Sequence, residues 1–381
     1  VKPRKHRVEF RKNRSARRRD GDLTRTVGTD PDHADHLSSG ERISGKGDLT
    51  RKRTVVGFEG RDADGLPVAR MPEGSWRGRV LHVHGLTSFV EAPGGRIVRC
   101  TTRRLLKTMT TDQRHVVTAG DWVAVTDDGE AGVIEAIEPR RSSLCRTSRG
   151  RRHVIVANVD QVIIVGSAAM PNLKPALIDR FIVAAEASGI RPLVCINKVD
   201  LVPASELVPL AGVYARMGYP VVLCSTATGL GIDRLRAEIE GRVTAVVGQS
   251  GVGKSSILNA LEPGLNLPVA EVSDENEKGR HTTTTAWLIP HRLGGHFVDT
   301  PGIRQFQPWE IVPAEVPSFF RDLRPFANRC RFPDCSHTHE SPCAVKEAVA
   351  DGLLDARRWE SCCQLASPDG ENSYTSIDEA S

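Results

Sequence analysis

The stretch Val243-Thr244-Ala245-Val246-Val247-Gly248-Gln249-Ser250-Gly251-Val252-Gly253-Lys254-Ser255-Ser256-Ile257-Leu258-Asn259-Ala260-Leu261 decides how this chain folds. Its mostly apolar opening predicts a buried strand, and its end predicts a helix. Between them stand Gly, four residues, then Gly-Lys-Ser. Glycines at 248, 251 and 253 let the backbone turn its amide hydrogens inward, at the positive end of the following helix. A polyphosphate fits such a cradle. Lys254 is then expected to reach the terminal phosphates, and the Ser255 hydroxyl to ligate Mg2+. The same string can be an ordinary Gly-rich turn, and the strand and helix around it are what favour nucleotide binding.

Working outward, Asn197-Lys198-Val199-Asp200 lies upstream of this loop, at the end of the apolar run Leu193-Val194-Cys195-Ile196. An Asp200 carboxylate can accept from N1–H and the exocyclic amine of guanine, donors that adenine lacks at those places. Alone the tetrapeptide is more often a polar turn. A second strand, Val221-Val222-Leu223-Cys224, runs into Ser225-Thr226-Ala227-Thr228-Gly229, the kind of Ser-rich segment that backs a guanine ring. The expected GTP contacts are therefore Asn197, Lys198, Val199, Asp200 and Ser225, then Gly248, Gln249, Ser250, Gly251, Val252, Gly253, Lys254, Ser255 and Ser256. In ordinary GTP-binding proteins the phosphate loop comes first; here the order is reversed.

Downstream, Asp299-Thr300-Pro301-Gly302 follows the strand-like His296-Phe297-Val298. It supplies a carboxylate, Asp299, for the Mg2+ shell and a backbone, at Gly302, on which a γ phosphate can pull. Gly279-Arg280-His281-Thr282-Thr283-Thr284-Thr285 lies between, and its place favours a switch over an exposed strand edge, with Thr283 as the expected third Mg2+ ligand. Ile303 stands where many GTPases carry a water-orienting Gln and cannot hydrogen-bond a water. Slow unaided turnover follows, with His281 (or, second, Gln305) positioning the water once a partner orders the switch. Lys254, His281 and Thr283 are the expected catalytic set.

The chain has 381 residues and a formal net charge of +5. Residues 1–20 hold ten Lys or Arg against Glu9 and Asp20, so the remainder is slightly acidic. An arm without order, suited to phosphate backbones, is expected over residues 1–70; amphipathic spacing of a transit peptide is lacking. Gly21-Asp22-Leu23-Thr24-Arg25 recurs at Gly47-Asp48-Leu49-Thr50-Arg51, too short an echo for a repeat fold. No apolar run approaches the 18 or so residues of a membrane span.

Short β-rich stretches at 78–83, 88–91, 96–101, 121–126 and 132–137 predict a small barrel of about five strands within residues 71–142. Trp76, Phe89 and Trp122 are candidates for stacking on RNA bases, although a lone strand aromatic is more often core. Arg103, Arg104, Lys107, Arg140 and Arg141 add positive charge beside them. Alternating strands and helices over residues 143–312, including a helix at 175–188, predict a mostly parallel sheet covered on both faces. Last, residues 313–381 contain Cys330-x4-Cys335-x-His337-x5-Cys343. Three thiolates and an imidazole fill a tetrahedral shell, so one structural Zn2+ is expected. His339 can replace His337 in that reading, and Cys362 and Cys363 are bystanders.

The permuted order of these motifs, set between a small β-barrel and a Cys-Cys-His-Cys finger, closely resembles the circularly permuted, small-ribosomal-subunit-dependent GTPases of bacteria. The likeness covers roughly residues 76–360. It implies a multidomain protein: an N-terminal five-stranded OB-like β-barrel, a central circularly permuted α/β P-loop GTPase domain and a C-terminal zinc-binding domain. It further implies a cytoplasmic, monomeric enzyme that binds the 30S subunit and its 16S rRNA, assists late maturation, and hydrolyses GTP to GDP to drive release. The matching positions are Gly279 to Thr284 for the switch, residues 248–255 for the phosphate loop, and Cys330, Cys335, His337 and Cys343 for zinc. An RNA-binding checkpoint switched by nucleotide, with incidental hydrolysis, is the alternative that Ile303 keeps open.

Overall fold

The computed structural model describes residues 5–10, 51–56, 58–61, 67–69, 74–103, 116–127, 129–148, 151–267, 286–299 and 313–367. Contacts divide the chain into two compact units, Val1–Val117 with Asp121–Arg140, and Thr118–Gly120 with Arg141–Ser381.

The first unit is built on five strands, β1 (Trp76–His84), β2 (Thr87–Glu91), β3 (Ile97–Thr102), β4 (Trp122–Asp127) and β5 (Ala131–Ile137). They pair in the order β1-β2-β3-β5-β4, and β4 returns to pair with β1. The sheet is thus a closed barrel, which leaves no edge between its first and last strands. Alternation along each strand sends Val80, Val90, Val98, Cys100, Val123, Val125 and Ile134 inward. Gly78 and Gly132 face this interior: a Cβ on Gly132 would lie 2.6 Å from the Cys100 sulfur. Larger residues there would overfill the barrel.

The aromatic candidates separate. Trp76 packs against the barrel core. Phe89 stacks on His82, ring centroids 4.2 Å apart, and Trp122 lies under the Arg77 guanidinium at 3.9 Å. Arg140, expected among the residues that favour nucleic acid, is instead buried, its Nε donating to Asp121 Oδ1 at 2.7 Å and its NH2 to Oδ2 at 2.8 Å. Sequence counts its charge but cannot see the carboxylate that neutralises it. Arg103 is paired with Glu135 at the surface; Arg104 and Lys107 lie outside the described residues. Within the arm, Lys5–Phe10 pairs antiparallel with Arg51–Val56, and Phe58–Arg61 with Pro67–Ala69. The composition predicts no order there, because backbone pairing leaves no mark on charge content.

The second unit begins with a hairpin, β6 (Ser143–Ser148) and β7 (Arg151–Ala157). A mostly parallel sheet follows: β8 (Gln161–Ser167), β9 (Arg191–Asn197), β10 (Val221–Leu223), β11 (Val243–Val247), β12 (Trp287–Pro290) and β13 (His296–Asp299). Their spatial order is β10-β9-β8-β11-β13-β12, with only β12 antiparallel to its neighbour. β8 and β11 are buried at every position, as strands covered on both faces must be.

Helices α1 (Pro175–Ala187), α2 (Ala204–Arg216), α3 (Ile232–Ile239) and α4 (Lys254–Leu261) join these strands. α1 starts with Pro at its first turn, presents Ile178, Phe181, Ile182 and Ala185 to the core, and stops where Gly189 takes φ +65°. One core packs Ile163, Leu193, Cys195, Val222, Leu235, Val246, Ile257 and Phe297 together, each large aliphatic contributing about 1.5–3 kcal/mol when fully buried. The last described residues include three short helices, α5 (Arg324–Ala327), α6 (Ala344–Ala350) and α7 (Ala356–Ala366). Their core of Val316, Phe320, Leu323, Val345, Leu354 and Cys362 extends onto Val183 of α1.

Candidate functional site

Because β8, β9, β10, β11 and β13 run parallel, their C-terminal ends meet on one edge of the sheet. Ser167, Asn197, Gly248 and Asp299 end or follow four of them, and Ser225 lies just past the fifth. Sequence order is irrelevant to that convergence, which is where α/β proteins bind ligands.

The phosphate loop is held from beneath. Gly248 takes φ +147°, and a Cβ there would meet Val165 O at 2.3 Å; Gly253 takes φ +92°, and a Cβ there would meet Asn197 Nδ2 at 2.3 Å. Among the described residues no side chain caps the start of α4, and the start of a helix favours an anion. Lys254 Nζ donates to Gly248 O at 2.8 Å and Gln249 O at 2.6 Å, folding over the loop. The Asn197 amide, almost fully buried, donates to Val252 O at 2.9 Å. Lys198 adopts the left-handed conformation at φ 61°, and its Nζ donates to Gly251 O at 2.8 Å and to Met170 O. Asn197 and Lys198 therefore brace the phosphate loop, a task the sequence does not reveal.

The Val199 N–H donates to Cys224 O at 3.2 Å. Ser225 is fully buried, and its Oγ accepts from the Thr228 N–H at 3.2 Å. Asp200, beside them, is exposed and open to a base. Asp299 keeps one side in solvent while the sheet edge dries the other, and this desolvation raises its carboxyl above the ordinary range. A divalent cation would reverse that direction, and Ser255 lies in the first turn of α4, after the neighbouring strand β11. The cleft between Ser167, Asn172, Lys174, Phe181, Gln249 and Val252 is too small to enclose a nucleotide, which would lie along the open edge instead. His281, Thr283, Gly302, Ile303 and Gln305 lie outside the described residues.

The Cys/His quartet comes together as one cluster, with ligand atoms of Cys330, Cys335, His337 and Cys343 all within 4.8 Å of one another. The Cys330 and Cys343 sulfurs are 3.9 Å apart, and His337 Nδ1 is 3.6 and 3.5 Å from them. Four ligands at roughly 2.3 Å from a tetrahedral metal would stand about 3.8 Å apart, so the set fits Zn2+. Burial pushes the Cys335 thiol up to about 12, which is costly for a thiolate unless a cation is present. Trp359 Nε1 donates to His337 O at 3.0 Å, fixing the ligand's backbone. His339, the alternative ligand, is outside the cluster and beside Thr338.

Sequence reading missed a buried polar centre between α1 and α7. Arg358 NH1 donates to Asp179 Oδ1 at 2.6 Å, and its Nε and NH2 donate to Asp322 at 3.0 and 3.1 Å. Tyr214 donates to the same Asp179 oxygen at 2.8 Å. One signal existed: Asp179 falls in the apolar stripe of α1, where a carboxylate demands a partner.

Similarity to known proteins accords with this arrangement. The family model described as RsgA GTPase matches residues 137–309. A small ribosomal subunit biogenesis GTPase RsgA from Sodalis glossinidius is 40% identical over 303 residues, 78% of this chain and 86% of that protein. Its counterpart from Gemmatimonas aurantiaca is 43% identical over 76% of this chain and 88% of its own. The crystal structure of YjeQ from Thermotoga maritima superposes with a TM-score of 0.65 at 34% identity, covering 77% of this chain and 97% of that one. YloQ, a circularly permuted GTPase, gives 0.61 at 28% identity over 78% and 96%. A closed five-stranded barrel, a permuted nucleotide-binding sheet and relatives similar over most of their length leave one assignment: the chain is a GTP hydrolase belonging to the RsgA family of circularly permuted GTPases.

Proposed function

We propose that this GTPase acts on the small ribosomal subunit, binding the 30S particle through its 16S rRNA and coupling hydrolysis of GTP to its own release during late maturation. The observation that carries the reading is the convergence of Asn197, Ser225, Gly248 and Asp299 on one sheet edge, in a chain whose relatives are named for small-subunit biogenesis. Asp200 reads the guanine edge, and Ser225 backs the ring. Backbone amides of residues 249–255 and the uncapped start of α4 receive the phosphates. Lys254 exchanges its two carbonyl partners for phosphate oxygens, a trade of neutral acceptors for charged ones. Ser255, Asp299 and Thr283 would hold Mg2+, which would neutralise charge on the phosphates.

The water-positioning role falls to His281, since Ile303 cannot fill it. Zn2+ in the Cys330, Cys335, His337 and Cys343 shell is structural, having no open position. The protein works as a cytoplasmic monomer, and the arm's basic residues supply long-range attraction to rRNA phosphates. No helix among the described residues is long and apolar enough to cross a membrane.

The test is GTP and ATP turnover with and without added 30S subunits at fixed moderate salt. Strong stimulation confined to GTP is expected. Tight GTP binding with no stimulation by 30S would overturn the ribosome-dependent part of the proposal.

A further inference from the structure

Two thiols beneath the guanine motif take no part in the chemistry above. Cys195 lies in β9 two residues before Asn197, and Cys224 immediately precedes Ser225. Both are fully buried, and their sulfurs stand 3.3 Å apart. Cys224 is tied to the guanine strand three times. Its N–H donates to Ile196 O at 2.8 Å, its carbonyl accepts from the Val199 N–H at 3.2 Å, and its Sγ donates to Asn197 Oδ1 at 3.6 Å. Asn197 in turn holds the phosphate loop through Val252 O. A change at this sulfur therefore reaches both halves of the nucleotide site within two contacts.

We propose that Cys195 and Cys224 form an oxidation site, a dithiol that a hydroperoxide converts to a disulfide, and that this bond weakens guanine-nucleotide binding. The balance is closed. The two S–H bonds and the peroxide O–O bond break and one S–S bond forms; the two electrons and two protons leaving the thiols reduce hydrogen peroxide to two waters. To bond, the sulfurs must close by roughly 1.3 Å, to about 2.0 Å. The loop has no slack on its other side, since even a Cβ on Gly231 would stand 3.0 Å from Cys224 Cβ. The movement is taken up toward Cys195, drawing the Cys224 sulfur from Asn197 and pulling on Val199.

Reaction requires opening of the loops. Hydrogen bonding to Cys224 and burial hold the Cys195 thiol well above its ordinary pKa, and thiols, unlike thiolates, are poor nucleophiles. Bound nucleotide keeps Asn197, Val199 and Ser225 in place and so protects the pair. The device makes the nucleotide-free protein the oxidant-sensitive form.

The experiment treats full-length protein, nucleotide-free or loaded with GDP, with hydrogen peroxide, then blocks free thiols and maps peptides by mass spectrometry. A cross-linked pair containing Cys195 and Cys224 is expected, forming faster without GDP. Affinity for a fluorescent GDP should fall by about tenfold or more and return with dithiothreitol. Cys195→Ala protein, compared with its own untreated baseline, should keep its affinity through the same treatment while its zinc-cluster thiols oxidise as before. Cys224→Ser is the second variant, should the first fold poorly. Free thiols at both positions after treatment of the nucleotide-free protein, or an equal affinity loss in Cys195→Ala, would overturn the proposal. It rests on the guanine-site assignment, whose own failure is distinguishable as absence of GDP binding before any oxidant is added.

Discussion

Arg358 and Asp179, 179 positions apart in sequence, meet at 2.6 Å with both side chains at least 98% buried. The pair joins α7, which adjoins the Cys/His cluster, to α1 of the nucleotide-binding sheet. Burial disfavours the guanidinium charge, but Asp179 and Asp322 outweigh it and leave Arg358 more firmly protonated than an ordinary arginine. The Phe320 ring lies 4.4 Å from the same guanidinium, so the charge is packed as well as paired.

Replacing Arg358 with alanine strands one fully buried and one largely buried carboxylate, and a loss of about 3–5 kcal/mol of stability is expected. Arg357→Ala, at an exposed pair with Asp355, should cost no more than about 1 kcal/mol. Urea unfolding measures both. Equal effects of the two substitutions would contradict a buried, paired Arg358 as the link between α7 and α1.

In the phosphate loop, Gly253→Ala combines a positive φ with a Cβ placed 2.3 Å from Asn197 Nδ2. Fluorescent GDP titration should show affinity lowered by about tenfold or more. Gly352→Ala, also at positive φ but with open space around it, should bind GDP as the parent does.

Removing Zn2+ with a chelator should free the backbone of His337, to which Trp359 donates its indole N–H. Trp359 fluorescence should shift to the red, and metal analysis before treatment should return one zinc per chain. Cys343→Ser should show the shifted spectrum from the outset, whereas His339→Ala should not. An unshifted spectrum after complete metal removal would separate the cluster from the fold of this region.

Within the barrel, Arg140→Met should destabilise by about 3–5 kcal/mol because Asp121 is left buried and charged. The double replacement Arg140→Met with Asp121→Leu should recover most of that loss, since an apolar pair avoids desolvating two ions. Thermal unfolding of both variants decides it, and a double variant no better than the single one would show that the ion pair itself holds the barrel.

Turnover offers a further check on the switch segment. His281→Ala should abolish stimulation by 30S while GDP affinity stays at the parent value; retained stimulation would move the water-positioning role elsewhere, with Gln305 the next candidate.

Much was legible in the chain alone. The helix expected at 175–188 from apolar spacing and the glycine stop runs Pro175–Ala187, and the barrel strands fall within a residue or two of the β-rich stretches expected for them. Motifs such as Gly248 to Ser255 are readable because their chemistry needs particular residue types at fixed local spacing. Their gathering on one edge depends on parallel strands, and permutation leaves it intact. Tertiary structure alone decided which charges are partners and which are surface. Arg140 and Arg358 look like any other arginines until Asp121 and Asp179 appear beside them, and Cys195 meets Cys224 only because β9 and β10 are neighbours. Pairings of this kind carry no local signature, since they are set by which faces of distant elements the core brings into contact.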